Sequence, residues 1–108
     1  MTKEIITTTT SEIPGKKVVQ ILGVVKGNTI RARHIGRDIA ASLKNVVGGE
    51  IKSYTQMTEQ SREEAFNRMV NEAVSLKADA IINIRFATSM VMQGAAEMLA
   101  YGTAVKLK

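Results

Sequence analysis

Residues 53–76 can settle only as one long helix, and that helix limits what the rest of the chain can build. Ala65, Phe66, Met69, Val70, Ala73 and Leu76 recur at helical spacing on one side. Glu63, Glu64, Asn67, Asn71 and Ser75 occupy the other. The earlier turns carry a weaker stripe, Tyr54, Met57, Thr58, Ser61 and Ala65, rotated from the later one. The helix is therefore expected to meet one partner early and another late. Two strand-like segments precede it and two follow it, so it is the natural cover of one sheet.

Residues 5–10, Ile-Ile-Thr-Thr-Thr-Thr, are β-branched throughout and read as a short edge strand. Pro14-Gly15 then turns the chain. Residues 17–30 read as a second strand, in which Val18, Val19, Ile21, Leu22, Val24 and Val25 put apolar side chains on both faces. One helical layer covers one face only, so a second subunit is expected on the other. Gly23 and Gly27 suggest a bulge or a close backbone approach. Ile35, Ile39, Leu43, Val46 and Val47 form the stripe of a first helix over residues 34–47, which Gly48-Gly49 stops.

Beyond the long helix the period changes to two. Ala80, Ile82, Ile84, Phe86, Met90 and Met92 alternate with Asn83, Arg85, Ser89 and Gln93, so the even-numbered face is expected to be core. In the fourth strand, 97–107, the odd positions Leu99, Tyr101, Val105 and Leu107 are the expected core face. Ala100, Gly102 and Ala104 are then expected on the outer face. With residues 93–96 as the turn, both core faces coincide only if even residues stand opposite odd ones. Met92 opposite Glu97, Met90 opposite Leu99 and Ile84 opposite Val105 satisfies that rule. Only Lys77, Ala78 and Asp79 remain to turn the chain from the long helix into the third strand, which calls for a left-handed residue at Lys77. The whole chain, 1–108, reads as a single α+β domain. Its order is β-β-α-α-β-β, with helices on one face of a mainly antiparallel sheet. Val19, Ile21, Met98, Ala100 and Gly102 are the expected contacts between copies in a homo-oligomer.

The chemistry-bearing residues are few. Zero cysteines exclude disulfides and thiolate metal sites. With no run long enough to span a membrane and a polar Met1-Thr2-Lys3-Glu4 start, a cytoplasmic protein without membrane contact is expected. The net charge of +5 sits in the first half: residues 1–54 hold nine Lys/Arg and four Asp/Glu, and residues 55–108 hold six of each. That admits a basic module binding nucleic acid or another anion non-specifically. None of the four aromatics lies in a basic run to give a stacking platform, so nucleic acid is the lesser reading. An enzyme with an active site assembled between subunits is a further alternative, but no catalytic constellation appears. His34 and Asp38, four apart on one helix face, could give two metal ligands, with Glu50 a third. Six methionines without cysteine invite a soft-metal reading. The expected register turns Met90 and Met92 to the core and Met98 to the opposite face beside Val91. On that register the methionines are core filler.

Several phrases in series carry a resemblance. They are Gly23-Val24-Val25 followed by Gly27, Arg37-Asp38, Val47-Gly48-Gly49, Arg62 with Ala65, Ala78-Asp79-Ala80, and Gly102-Thr103-Ala104-Val105. In this order they resemble the YbjQ-like family, small bacterial and archaeal proteins of uncharacterised function, over nearly the whole chain. The resemblance implies a subunit of a ring, a pentamer, with the chain itself as its partner. It also brings a heavy-metal-binding label, the only ground for expecting a metal cofactor. It implies glycine where this chain has Lys77. The reading that results is a homo-oligomer of unassigned molecular function that binds a metal ion or small ligand.

Overall fold

The computed structural model describes residues 4–31, 52–92 and 95–108. Its elements are β1 (Ile6–Thr7), β2 (Val18–Arg31), α1 (Lys52–Ser75), β3 (Ala80–Met92) and β4 (Ala95–Leu107). The expected helix over 34–47 lies outside the described residues. The strands form one sheet in the order β1-β3-β4-β2. β4 pairs antiparallel with both β2 and β3, while β1 runs parallel to β3, so the sheet is mixed. The amides of Ile6 and Thr8 donate to the carbonyls of Asp79 and Ile81 at 3.2 and 3.1 Å. Farther along, the amides of Ile84 and Asn83 donate to the carbonyls of Thr8 and Thr10, both at 3.1 Å. The threonine run thus shields one sheet edge, as its β-branched, poorly apolar composition suggests. β2 forms the other edge.

The helix lies on one face of the sheet, chiefly over β2 and β4. Ser61, Ala65, Met69 and Ala73, each four residues after the last, are its buried positions among the described side chains. Small residues alternate there with one large one, which brings the helix close to the strands. At Gly27 on β2 the approach is so close that a Cβ would overlap the Ala65 carbonyl oxygen and the Met69 amide nitrogen. Beside it, the Thr29 hydroxyl donates to the Ser61 carbonyl at 3.2 Å, a buried bond that pins helix to strand.

The helix ends as the short turn requires. Lys77 has φ of 62°. The Ala78 amide reaches back to the Ala73 carbonyl at 3.1 Å, and the Lys77 amide to the Val74 carbonyl at 2.9 Å. That is the paired bonding of a Schellman motif, closed by contact between Ala73 and Ala78 in the core. A left-handed lysine carries steric strain of about 1–2 kcal/mol. Lys77→Gly is therefore expected to be neutral or stabilising by up to about 1 kcal/mol, reduced by glycine's unfolded-state entropy. Lys77→Val should lower the urea midpoint, because a β-branched residue tolerates positive φ worst. A valine variant as stable as the parent would contradict this.

The register of the β3–β4 pair differs from the expected one. Ala80, Ile81 and Ile82 stand opposite Val105, Ala104 and Thr103, but Phe86, Thr88 and Met90 stand opposite Ala100, Met98 and Ala96. The shift falls between Ile82 and Arg85, where Asn83 adopts φ of 54°. Asparagine is one of the few non-glycine residues that takes this conformation readily. Its extra residue bulges the strand and reverses its faces. Ile81 and Ile84 pack under the helix with Val25, Ala100 and Ala104, whereas Ala80, Ile82 and Val105 form a second cluster on the opposite face. Ile13, Val18 and Leu107 cover that second cluster.

Two expectations are corrected by this bulge. Above it, even residues face even residues, so Met98, Ala100 and Gly102 lie on the helix side and not on the outer face. Ala100 is fully buried there, and Met98 packs against the same core. The small residues admit the helix and the large β3 side chains: a Cβ on Gly102 would stand 2.7 Å from the Ile81 Cγ2. Tyr101, expected in the core, is exposed on the other face. No helix among the described residues is long and apolar enough to cross a membrane.

Candidate ligand groove

Above the Asn83 bulge the helix and the β3–β4 hairpin enclose a groove of about 360 Å³. The early turns of α1 supply Met57, Thr58 and Ser61; β3 supplies Thr88, Ser89 and Met90; β4 supplies Ala96, Glu97 and Met98. Each contribution follows from local structure. Met57 and Ser61 are one helical turn apart and belong to the weaker early stripe. Thr88 stands directly opposite Met98, and Met90 opposite Ala96, so all four share the helix-side face.

Ser89 and Glu97 are also directly opposed but belong to the alternate face. The Ser89 hydroxyl and the Asn28 side-chain amide donate to the Glu97 carboxylate at 3.5 and 2.9 Å. The Glu97 carboxylate is thus held across three strands at the rim. The groove itself offers hydroxyls and thioethers.

Next to it, Phe66 and Phe86 stack at a centroid distance of 6.4 Å, with Glu59, Arg62 and Glu63 around them.

The sequence-level metal candidates His34, Asp38 and Glu50 lie outside the described residues. Among the described residues no group of three or more His, Cys, Asp or Glu could hold a metal. Met98, set apart from Met90 and Met92 on the expected register, lines the groove with Met90 and with Met57, which the sequence did not single out as a ligand, while Met92 is not among the lining residues. The signal for this was Asn83 between two isoleucines, which reads as an ordinary polar position in an alternating strand. Val19 and Ile21 are 52% and 70% exposed on β2.

The family model for YbjQ, described as "Putative heavy-metal-binding", matches residues 5–108. The chain belongs to the YbjQ family. A UPF0145 protein of Archaeoglobus fulgidus is 61% identical over 108 residues, covering 100% of each chain. One of Thermotoga maritima is 55% identical over 103 residues, covering 95% of this chain and 97% of its own. The fold is that of a crystal structure of a protein of unknown function from Pediococcus pentosaceus, with a TM-score of 0.64 at 19% identity, covering 96% of this chain and 98% of that one. Against the family's label, the donor chemistry is specific. Borderline and hard ions want imidazole, thiolate or clustered carboxylate. Among the described residues the groove offers thioether sulfur and hydroxyl oxygen, with one carboxylate at its edge.

Proposed function

We propose that this YbjQ-family protein is a homo-oligomer that takes up an ion or small ligand in the groove between α1 and the β3–β4 hairpin. The reading is carried by the convergence of side chains from three separate elements on one hollow of about 360 Å³, within the size range of small-ligand sites. Apolar walls with a few placed hydroxyls are the usual makeup of such sites.

The assembly is supported by β2. It has one strand neighbour among the described residues, and Ile21, Val24 and Ile30 are 70%, 68% and 57% exposed on it. Helix side chains take up its Lys26 amide, which donates to the Glu72 carboxylate at 3.3 Å, and its Asn28 carbonyl, which accepts from Arg68 at 2.6 Å. The apolar side chains are what a second copy would cover. Val19 and Ile21 belong to that interface, and a pentameric ring is the arrangement the family resemblance implies.

Native mass spectrometry of protein purified without a metal column tests both parts. The expected spectrum shows five chains of 11.7 kDa per assembly, each with retained mass. In Ala96→Trp, whose indole would fill the groove mouth, the retained mass should vanish while the assembly persists. A single-chain mass would overturn the assembly. Assemblies carrying no added mass, or carrying it equally in the variant, would overturn the groove.

A further inference from the structure

We infer that the groove is a thioether site for a soft monovalent ion of the Cu(I) class, bound by Met57, Met90 and Met98. The inference rests on the ligand-groove reading and names the chemistry of its ligand.

Three observations carry it. The first is convergence: the three methionines come from α1, β3 and β4 and line the same hollow. Met98 pairs with Thr88, so Met90 is its diagonal neighbour on the same face. Such diagonal pairs lie about 7–8 Å apart at their Cβ atoms, within reach of long side chains. The second is exposure. Methionine is a good core filler, and Met69, fully buried, plays that part here. Met90 is 77% exposed and fills no core. The third is the donor set. Thioether sulfur is neutral and soft and selects Cu(I)-type ions over Zn(II), Mg(II) or Ca(II). The one carboxylate among the described lining residues, Glu97, is already engaged by Asn28 and Ser89 at 2.9 and 3.5 Å. Binding is simple coordination, with no proton released and no change of oxidation state.

Ag(I) is the probe, because it has the charge and filled d shell of Cu(I) without its oxidation chemistry. Calorimetric titration of the assembled protein in chloride-free buffer should give one ion per chain with submicromolar affinity. Met57→Leu and Met98→Leu should each weaken it by about 100-fold or more, since losing even an outer-shell partner of a ligand costs 10–100-fold. Methionine-to-leucine exchange nearly conserves volume, and an unchanged assembly mass checks that each variant is folded. Met92→Leu should bind like the parent. No tight site for Ag(I), a site indifferent to both leucine variants, or a site lost in Met92→Leu would each overturn the inference. If Ag(I) fails while native spectra show an organic mass that Ala96→Trp loses, the soft ion is wrong and the groove reading stands. If no mass is retained and Ag(I) fails, both fall.

Discussion

Gly27→Ala should be among the most destabilising single-methyl additions available, at about 3 kcal/mol. Overpacking is mild where a flexible side chain can rotate away. Here the new Cβ meets backbone atoms of Ala65 and Met69 and the Arg68 Cβ. Only a shift of the whole helix relieves that. Such a shift lengthens the 3.2 Å bond between Thr29 and the Ser61 carbonyl and opens the Met69 contacts. Urea unfolding reads the effect as a lower midpoint with an unchanged slope. A Gly27→Ala protein within about 0.5 kcal/mol of the parent would mean that the helix does not rest on β2 there.

Met69→Ala should cost about 2–5 kcal/mol, the range for emptying a fully buried large side chain. Met69 is 0% exposed and packs among Val25, Ala65, Ala73, Ala100 and Ala104 in one core cluster. Most of those neighbours are alanines, which have no rotamers with which to collapse into the space. The cost should therefore fall in the upper part of the range. Met92→Ala, at a position 66% exposed, should change the midpoint little. Equal effects in the two variants would contradict the division into filler and surface methionines.

Much of this fold was legible because it depends on local chemistry. The long helix followed from its apolar spacing, and its end from the three residues left before β3. Those residues forced a left-handed conformation onto Lys77 in spite of its Cβ. The polar threonine run announced an edge strand. The face assignments of β3 and β4 were not legible, for two reasons. In β3 the alternation runs through Asn83, where a single bulged residue puts Ala80 and Ile82 on the face opposite Ile84. In β4 the large odd residues point to a core, but Val105 belongs to the second cluster, while the small Ala100 and Ala104 lie under the helix. The parallel pairing of β1 was also hidden, since nothing in six β-branched residues says in which direction they run beside β3.

The groove was illegible because the apolar odd positions of β4 put Met98 on the outer face; above the bulge even residues stand opposite even ones, so Thr88, Met90 and Met98 share one face. The early helical stripe, rotated from the later one, lines the groove with Met57, Thr58 and Ser61, and Ser61 also meets Thr29 of β2. The apolar excess of β2 proved informative in another way. Its inner side is filled by the chain's own helix through Val25, while Val24 and Ile30 are exposed.

Methionine methyl NMR during an Ag(I) titration tests most directly whether three methionine side chains share one site. Six methyl signals are expected, one for each methionine of the sequence. The signals of Met57, Met90 and Met98 should move together and stop at one ion per chain, while that of Met92 holds still. Movement led by Met92, a different response for Met98 than for Met90, or no movement at one equivalent would contradict the register and the site together.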